Sequence, residues 1–214
     1  MLDCAVGDGI THVVFTPHVH PGRWDNSYSS LLPHFDNVVE SLASKYPTLD
    51  LSLGGEVRFS SEILEYVLKD EIPFIGGWES DKVLLLEFPH GYLPAGFENL
   101  ILWLRKQGIR PMIAHPERNK DIVRDFSKLQ PLVDLGCLFQ LTAMSVTGDF
   151  GNASYETAHK ILNNDLATVI ATDAHNLKSR PPILSKAWGL VESKYGFDVA
   201  KRLLQENPSK IIDL

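Results

Sequence analysis

The feature that most constrains this chain is a rhythm of six short, almost wholly apolar runs separated by longer amphipathic stretches. The runs span residues 12–16, 51–55, 82–88, 111–114, 137–141 and 168–172. A strand with one wet face alternates apolar and polar residues, whereas "KVLLL", "PMIA" and "TVIAT" barely alternate. Such runs suit strands covered on both faces, as in parallel sheets flanked by helices. Helices are expected between them, over residues 28–45, 61–69, 96–107, 121–135, 154–163 and 184–194. Gly108 closes "ILWLRKQ" behind two cations, and Gly136 closes "LQPLVDL", both as helix C-caps. A β-α-β-α order returns each strand parallel to the last, so the expected class is α/β, as a doubly wound sheet or a barrel. "MLDCAVGD" reads as the back half of a helix ended by Gly9. Six strands are one or two fewer than a closed barrel needs.

Bulk properties narrow the function. The 214 residues suit one domain, which can bury roughly 70% of its unfolded surface without covalent staples. The net charge is −7 and no Lys/Arg-rich block occurs, which argues against a nucleic-acid partner. Cys4 and Cys137 are far apart and match no zinc spacing, as in a reducing, cytoplasmic setting. Neither is followed by arginine at the sixth position, so the loop of a thiol phosphatase is absent. No apolar run of about 18 residues predicts membrane insertion, and the first residues do not have the make-up of a signal peptide.

The chemistry collects where the strands end. His18 follows "HVVFTP", Glu56 follows "LSLGG", Glu87 closes "KVLLLE", His115 follows "PMIA", and Asp173 and His175 follow "TVIAT". In an α/β barrel the C-terminal strand ends share one rim, where active sites assemble. Imidazoles and carboxylates together, with hardly a thiol, suit borderline or hard divalent ions such as Zn, Mn or Fe in a hydrolytic site. Carboxylates able to bridge suggest two or three ions, a set suited to in-line displacement at phosphorus. Arg118, three residues past His115, adds a planar donor for a phosphate oxygen.

Each piece also has a plainer reading. "TDAH" alone is a helix N-cap, "AHPER" alone a strand stop with Pro116 at a helix start, and Arg118 alone a solvated side chain. Glu87 resists this treatment, because a carboxylate after four apolar residues is rarely buried unpaired. The joint pattern is far more specific than any part of it. His12, at the opposite end of its strand, is expected to be structural, and His34 and His159 to be surface or packing residues. His20, Arg23, Arg58, His90 and Arg180 lie near the rim and are candidate substrate contacts.

"TPH", "GGEVRF", "LLLEFP", "IAHPERN" and "ATDAHN", in this order, closely resemble the bacterial polymerase-and-histidinol-phosphatase (PHP) family. Within it the chain looks like the capsule-associated, manganese-dependent tyrosine phosphatases of the CpsB/YwqE type. The resemblance runs over essentially the whole chain. It implies a distorted seven-stranded (β/α) barrel with a trinuclear metal site. One ion would be held by Glu56, Glu87 and His115, a second by His18 and His175, and a third by Glu56 and Asp173. Arg118 would match the family's catalytic arginine. The implied substrate is the phosphorylated tyrosine-rich tail of an autokinase that controls capsule or exopolysaccharide export.

Members of that family open on a strand carrying Asp-x-His-x-His, which is not found before the first run here. The resemblance therefore implies an N-terminally shortened barrel of six strands, open beside residues 12–16 and 168–172. Reduced activity is expected, as is pairing of the open edge with another copy. Histidinol-phosphate hydrolysis and a non-catalytic phosphotyrosine-binding barrel are the competing expectations.

Overall fold

The computed structural model describes residues 1–212. Its strands are β1 (His12–Phe15), β2 (His18–Val19), β3 (Asp50–Leu53), β4 (Glu56–Arg58), β5 (Gly76–Trp78), β6 (Asp81–Glu87), β7 (Ile109–Ala114), β8 (Leu138–Thr142) and β9 (Val169–Ala171). β2, β4, β6, β7, β8 and β9 pair in that order, all parallel, while β1 pairs with β3 in a separate two-stranded ladder. The two ladders are one structure interrupted. Thr16–Pro17 breaks the first strand and Gly54–Gly55 the second, and the breaks are bridged by Gly54 N–H to Phe15 O (2.8 Å) and Glu56 N–H to Pro17 O (3.1 Å). The six expected strands are thus all present, and the first two continue beyond their expected ends, through a bend, as β2 and β4.

The bend has a steric origin. A Cβ on Gly54 would meet Ile75 Cγ2 at 2.7 Å, and one on Gly55 would collide with Pro73 Cγ. Only glycine lets the backbone come this close.

Both faces of the central strands are covered. Leu84 and Leu86 of β6 pack with Ile113, Phe139 and Leu141 beneath the surrounding helices, whereas Val83 and Leu85 pack with Met112, Leu138 and Val169 on the opposite face. That double burial is why the runs read as unbroken apolar sequence. The ends of the strand order, β1 and β9, are not paired with each other. A cleft of about 1230 Å³ opens between them, lined by Val14, Phe15, Met112, Val169, Ile170 and Trp188. The strands of the described residues therefore do not close into a barrel.

Several helices differ from expectation. The segment expected as one helix over residues 121–135 is three: Lys120–Arg124, a 3-10 turn Phe126–Leu129, and Gln130–Asp134. Asp125 causes the first break, because its side chain accepts from Ser127 N–H and starts a new turn. The first long helix, Tyr28–Leu42, stops three residues early. Short β5 pairs antiparallel with β6 through a turn with Glu79 at φ 57°, a hairpin not foreseen in "IGGWESDK". Helices Ala143–Thr147, Phe197–Lys201 and Asn207–Ile212 were also not expected. His12 bonds Ser52 Oγ at 2.9 Å, a structural role, and His159 is buried. No helix among the described residues is long and apolar enough to cross a membrane.

Candidate metal centre and arginine pair

The breaks in the first two strands set the site. By restarting the ladder at His18 and Glu56, which are paired residues in the β2–β4 register, they bring an imidazole and a carboxylate side by side. Glu87 ends β6 and His115 follows β7 directly. Glu56 is the hub: its Oε1 lies 2.9 Å from His115 Nε2, and its Oε2 lies 3.5 Å from His18 Nδ1. Glu87 Oε1 stands 4.0 Å from His115 Nε2. His18, Glu56 and Glu87 each present one donor atom, and these three atoms lie within 4.8 Å of one another, a grouping that could hold one divalent ion. Two carboxylates and imidazoles, with no thiol, form a donor set for Mn, Fe or Zn.

Burial and pairing oppose each other here. Burial raises the Glu56 carboxyl, but the hydrogen bond with His115 and the nearby imidazoles outweigh it and hold it below the usual range. Burial lowers His115, yet the bond and charge of Glu56 leave it raised overall. Glu56 and His115 thus form a hydrogen-bonded pair with little exposure to solvent. Burial, reinforced by Arg118, pushes His90 down; its ring centroid is 6.3 Å from that of His115.

A second cluster adjoins the first. Arg118 Nη1 donates to Asp173 Oδ2 at 2.6 Å, and Arg180 Nη2 donates to the same oxygen. His175 Nδ1 lies 3.7 Å from Asp173 Oδ1, and the His175 ring is 6.1 Å from that of His18. Asp173 is thus turned toward the arginines, and His175 connects the two clusters. Arg58 is held by Glu87 at 3.0 Å. His20 and Arg23 lie on a turn around Trp24, whose indole stacks on His18 at 5.0 Å with the Arg23 guanidinium 4.2 Å away.

Backbone geometry explains two of the motifs. His115 has φ 36° and Asp173 φ 49°, left-handed conformations that are uncommon outside glycine. An asparagine follows each. Asn119 Oδ1 accepts from Asp121 and Ile122 N–H, while its Nδ2 donates to Pro89 and Tyr92 carbonyls. Asn176 Oδ1 accepts from the N–H groups of Lys178, Ser179 and Arg180. Within the first turn Glu117, fully buried and raised by that burial, accepts from Thr142 N–H at 3.1 Å. No role was expected for Glu117, Asn119 or Asn176, nor for Trp24 or Phe150 beside the arginines. The terminal Asn shared by "HPERN" and "DAHN" was the signal available for two of them.

The model of the capsular polysaccharide synthesis family CpsB/CapC matches residues 1–213. The chain belongs to the CpsB/CapC family. Tyrosine-protein phosphatase CpsB of Streptococcus pneumoniae is 30% identical over 213 residues, covering 95% of this chain and 85% of its own length. CapC of Staphylococcus aureus is 34% identical over 186 residues, covering 87% of this chain and 72% of CapC. A crystal structure from work on YwqE of Bacillus subtilis and CpsB of S. pneumoniae, described as unique metal-dependent tyrosine phosphatases, superposes with a TM-score of 0.90. It is 29% identical and is matched over 100% of this chain and 85% of that one.

Proposed function

We propose that this CpsB/CapC-family chain is a metal-dependent protein-tyrosine phosphatase. The observation that carries the reading is the adjacency of two clusters of opposite character: Glu56 joined to His18 and His115 beside Glu87, and Arg118 with Arg180 on Asp173. The first suits a cation and the second a phosphoryl group. Support also comes from the relatives named as tyrosine-protein phosphatases and from the metal-dependent structural neighbour.

His18, Glu56, Glu87 and His115 would hold the metal, with Asp173 and His175 available to a second ion. A divalent ion in such a site supplies positive charge to the phosphoryl oxygens and makes water a competent nucleophile at neutral pH. Manganese is the ion we assign, following the resemblance to manganese-dependent phosphatases; the mixed imidazole and carboxylate donor set is compatible with it, as it is with iron or zinc. Arg118 and Arg180 bind the phosphoryl oxygens through donors not used on Asp173, and compensate the charge that grows there during transfer. Tyrosinate is a good enough leaving group to take its proton from solvent. His20, Arg23 and His90 line the approach, and Arg58 fixes Glu87.

The substrate is the phosphotyrosine tail of an autokinase acting in capsule or exopolysaccharide synthesis, in the cytoplasm. The test is release of phosphate from phosphotyrosine, phosphoserine and histidinol phosphate, with manganese and with chelator. Manganese-dependent hydrolysis of phosphotyrosine alone is expected. Preference for histidinol phosphate, or turnover unaffected by chelator, would overturn the reading.

A further inference from the structure

Phe150 lies against both arginines and is used by no step above. Its ring centroid is 4.9 Å from Arg118 Cζ and 5.8 Å from Arg180 Cζ. Among the described residues, Asp173 is the one carboxylate within ion-pair reach of either guanidinium. Arg180 Nε is buried and makes no hydrogen bond. Two like charges thus meet on a single carboxylate oxygen, and the remaining favourable contact they share is the face of one aromatic ring.

The loop that carries the ring is held by hydrogen bonds. Phe150 N–H donates to Met144 O at 3.2 Å, and Gly151 N–H donates to Gly148 O at 2.9 Å. Thr147 Oγ1 donates to Asp149 Oδ2 at 2.7 Å. Behind the loop, His159 Nε2–H donates to Val146 O at 3.1 Å, while its Nδ1 lies 2.5 Å from Tyr195 Oη. Tyr155 packs against Gly148. The buried His159 cluster is therefore a brace for the segment that carries Phe150.

From this geometry we infer that Phe150 is a positioning residue, whose ring face holds Arg118 and Arg180 together as one phosphate-binding fork. A ring quadrupole attracts guanidinium without consuming N–H donors. Donors satisfied by a carboxylate would be lost to the phosphate, whereas donors spared by the ring stay available. The ring matters most when Asp173 is drawn toward a cation or phosphate competes for the arginines, because Phe150 then supplies the contact the pair still shares. This rests on the phosphatase reading for its biological meaning, but its test does not.

Inorganic phosphate is the probe, titrated by calorimetry into the full chain with manganese present. Phe150→Leu keeps the apolar volume and removes the ring; Phe150→Trp keeps a ring. Phe150→Leu should weaken phosphate binding about 3- to 10-fold, the range for losing partly desolvated cation–π contacts. KM for p-nitrophenyl phosphate should rise in parallel, with bound manganese and melting temperature unchanged. Phe150→Trp should bind phosphate to within about twofold of wild type. Unchanged affinity in Phe150→Leu, equal loss in both variants, or no phosphate binding by the wild-type chain would overturn the inference. Phosphate binding that follows this pattern without phosphotyrosine turnover would reject the proposed function and leave the role of Phe150 intact.

Discussion

Replacing Glu56 with glutamine tests the site at its hub. Glu56 is 5% exposed and contacts both His115 and His18; glutamine keeps the shape and removes the charge. In metal-free protein the relevant quantity is the charge-assisted bond to His115, about 1.5–3 kcal/mol. Its pH dependence follows from two shifts of opposite sign. Glu56 is lowered from 4.5 by its partners, so its share is present above that value and is lost as pH falls through the folded pKa. His115 is raised from 6.5, so its share is complete below that value and is lost as pH rises through the folded pKa. Near pH 6 the pair is close to its full strength, and Glu56→Gln should lower the melting temperature by roughly 3–12 °C. As pH rises through the raised folded pKa of His115, its proton is lost and the deficit should shrink. Manganese adds a second reading. At about 100 times its Kd an ion stabilises the native state by about 2.7 kcal/mol, and a hundredfold loss of affinity leaves about 0.4 kcal/mol. Thermal melts of both proteins over a rising pH series from about pH 6, with chelator and with manganese, measure all of this. Equal melting temperatures near pH 6, or equal manganese-induced shifts, would refute Glu56 as the hub.

Three further outcomes are expected. Arg118→Lys keeps the charge but loses the fork, and should reduce kcat on aryl phosphates by about 10²–10³-fold with little change in melting temperature. Gly54→Ala should cost about 1–3 kcal/mol in denaturant unfolding, because the new methyl strikes Ile75 Cγ2. Burial pushes the Cys137 thiol up to about 12, so Cys137 should resist alkylation at about pH 8 until the protein unfolds, whereas the partly exposed Cys4 reacts in the native state.

The legible parts of the molecule were those with a local cause. β6, β7 and β9 announced themselves because double burial leaves their central residues, Val83–Leu86, Pro111–Ala114 and Val169–Ala171, wholly apolar, and β8 departs from this only at Gln140 and its terminal Thr142. Glu56, Glu87 and His115 were legible for a related reason: a charged or titratable group at the end of such a run must meet a partner. The break at Pro17 and at Gly54–Gly55 was not legible, since a bend and a strand end carry the same Pro/Gly signal. It matters, because it makes His18 and Glu56 register partners rather than independent strand ends. Contacts made at long range were silent. Nothing within "TGDFGN" says that Phe150 faces arginines from two other segments, and nothing near His159 says that it braces that loop. The division of 121–135 turned on Asp125, whose capping of a new turn competes with helix continuation.

The two left-handed residues give the site a common logic. A non-glycine residue held at positive φ costs about 1–3 kcal/mol, and His115 carries the added restriction of preceding proline. Such a conformation persists only where its surroundings over-determine it. Here the chain spends a buried asparagine on the first turn, with four hydrogen bonds through Asn119, and the three N–H groups gathered by Asn176 on the second. The return is directional. A chain continuing smoothly from β7 or β9 would send successive side chains to opposite faces. The left-handed step instead turns the chain back, so that His115 reaches Glu56 while Arg118, three residues on, reaches Asp173. His175 and Arg180 both reach Asp173 in the same way from the second turn. One tight turn thus supplies both the imidazole–carboxylate cluster and the arginine–Asp173 cluster, and relaxing it would separate them.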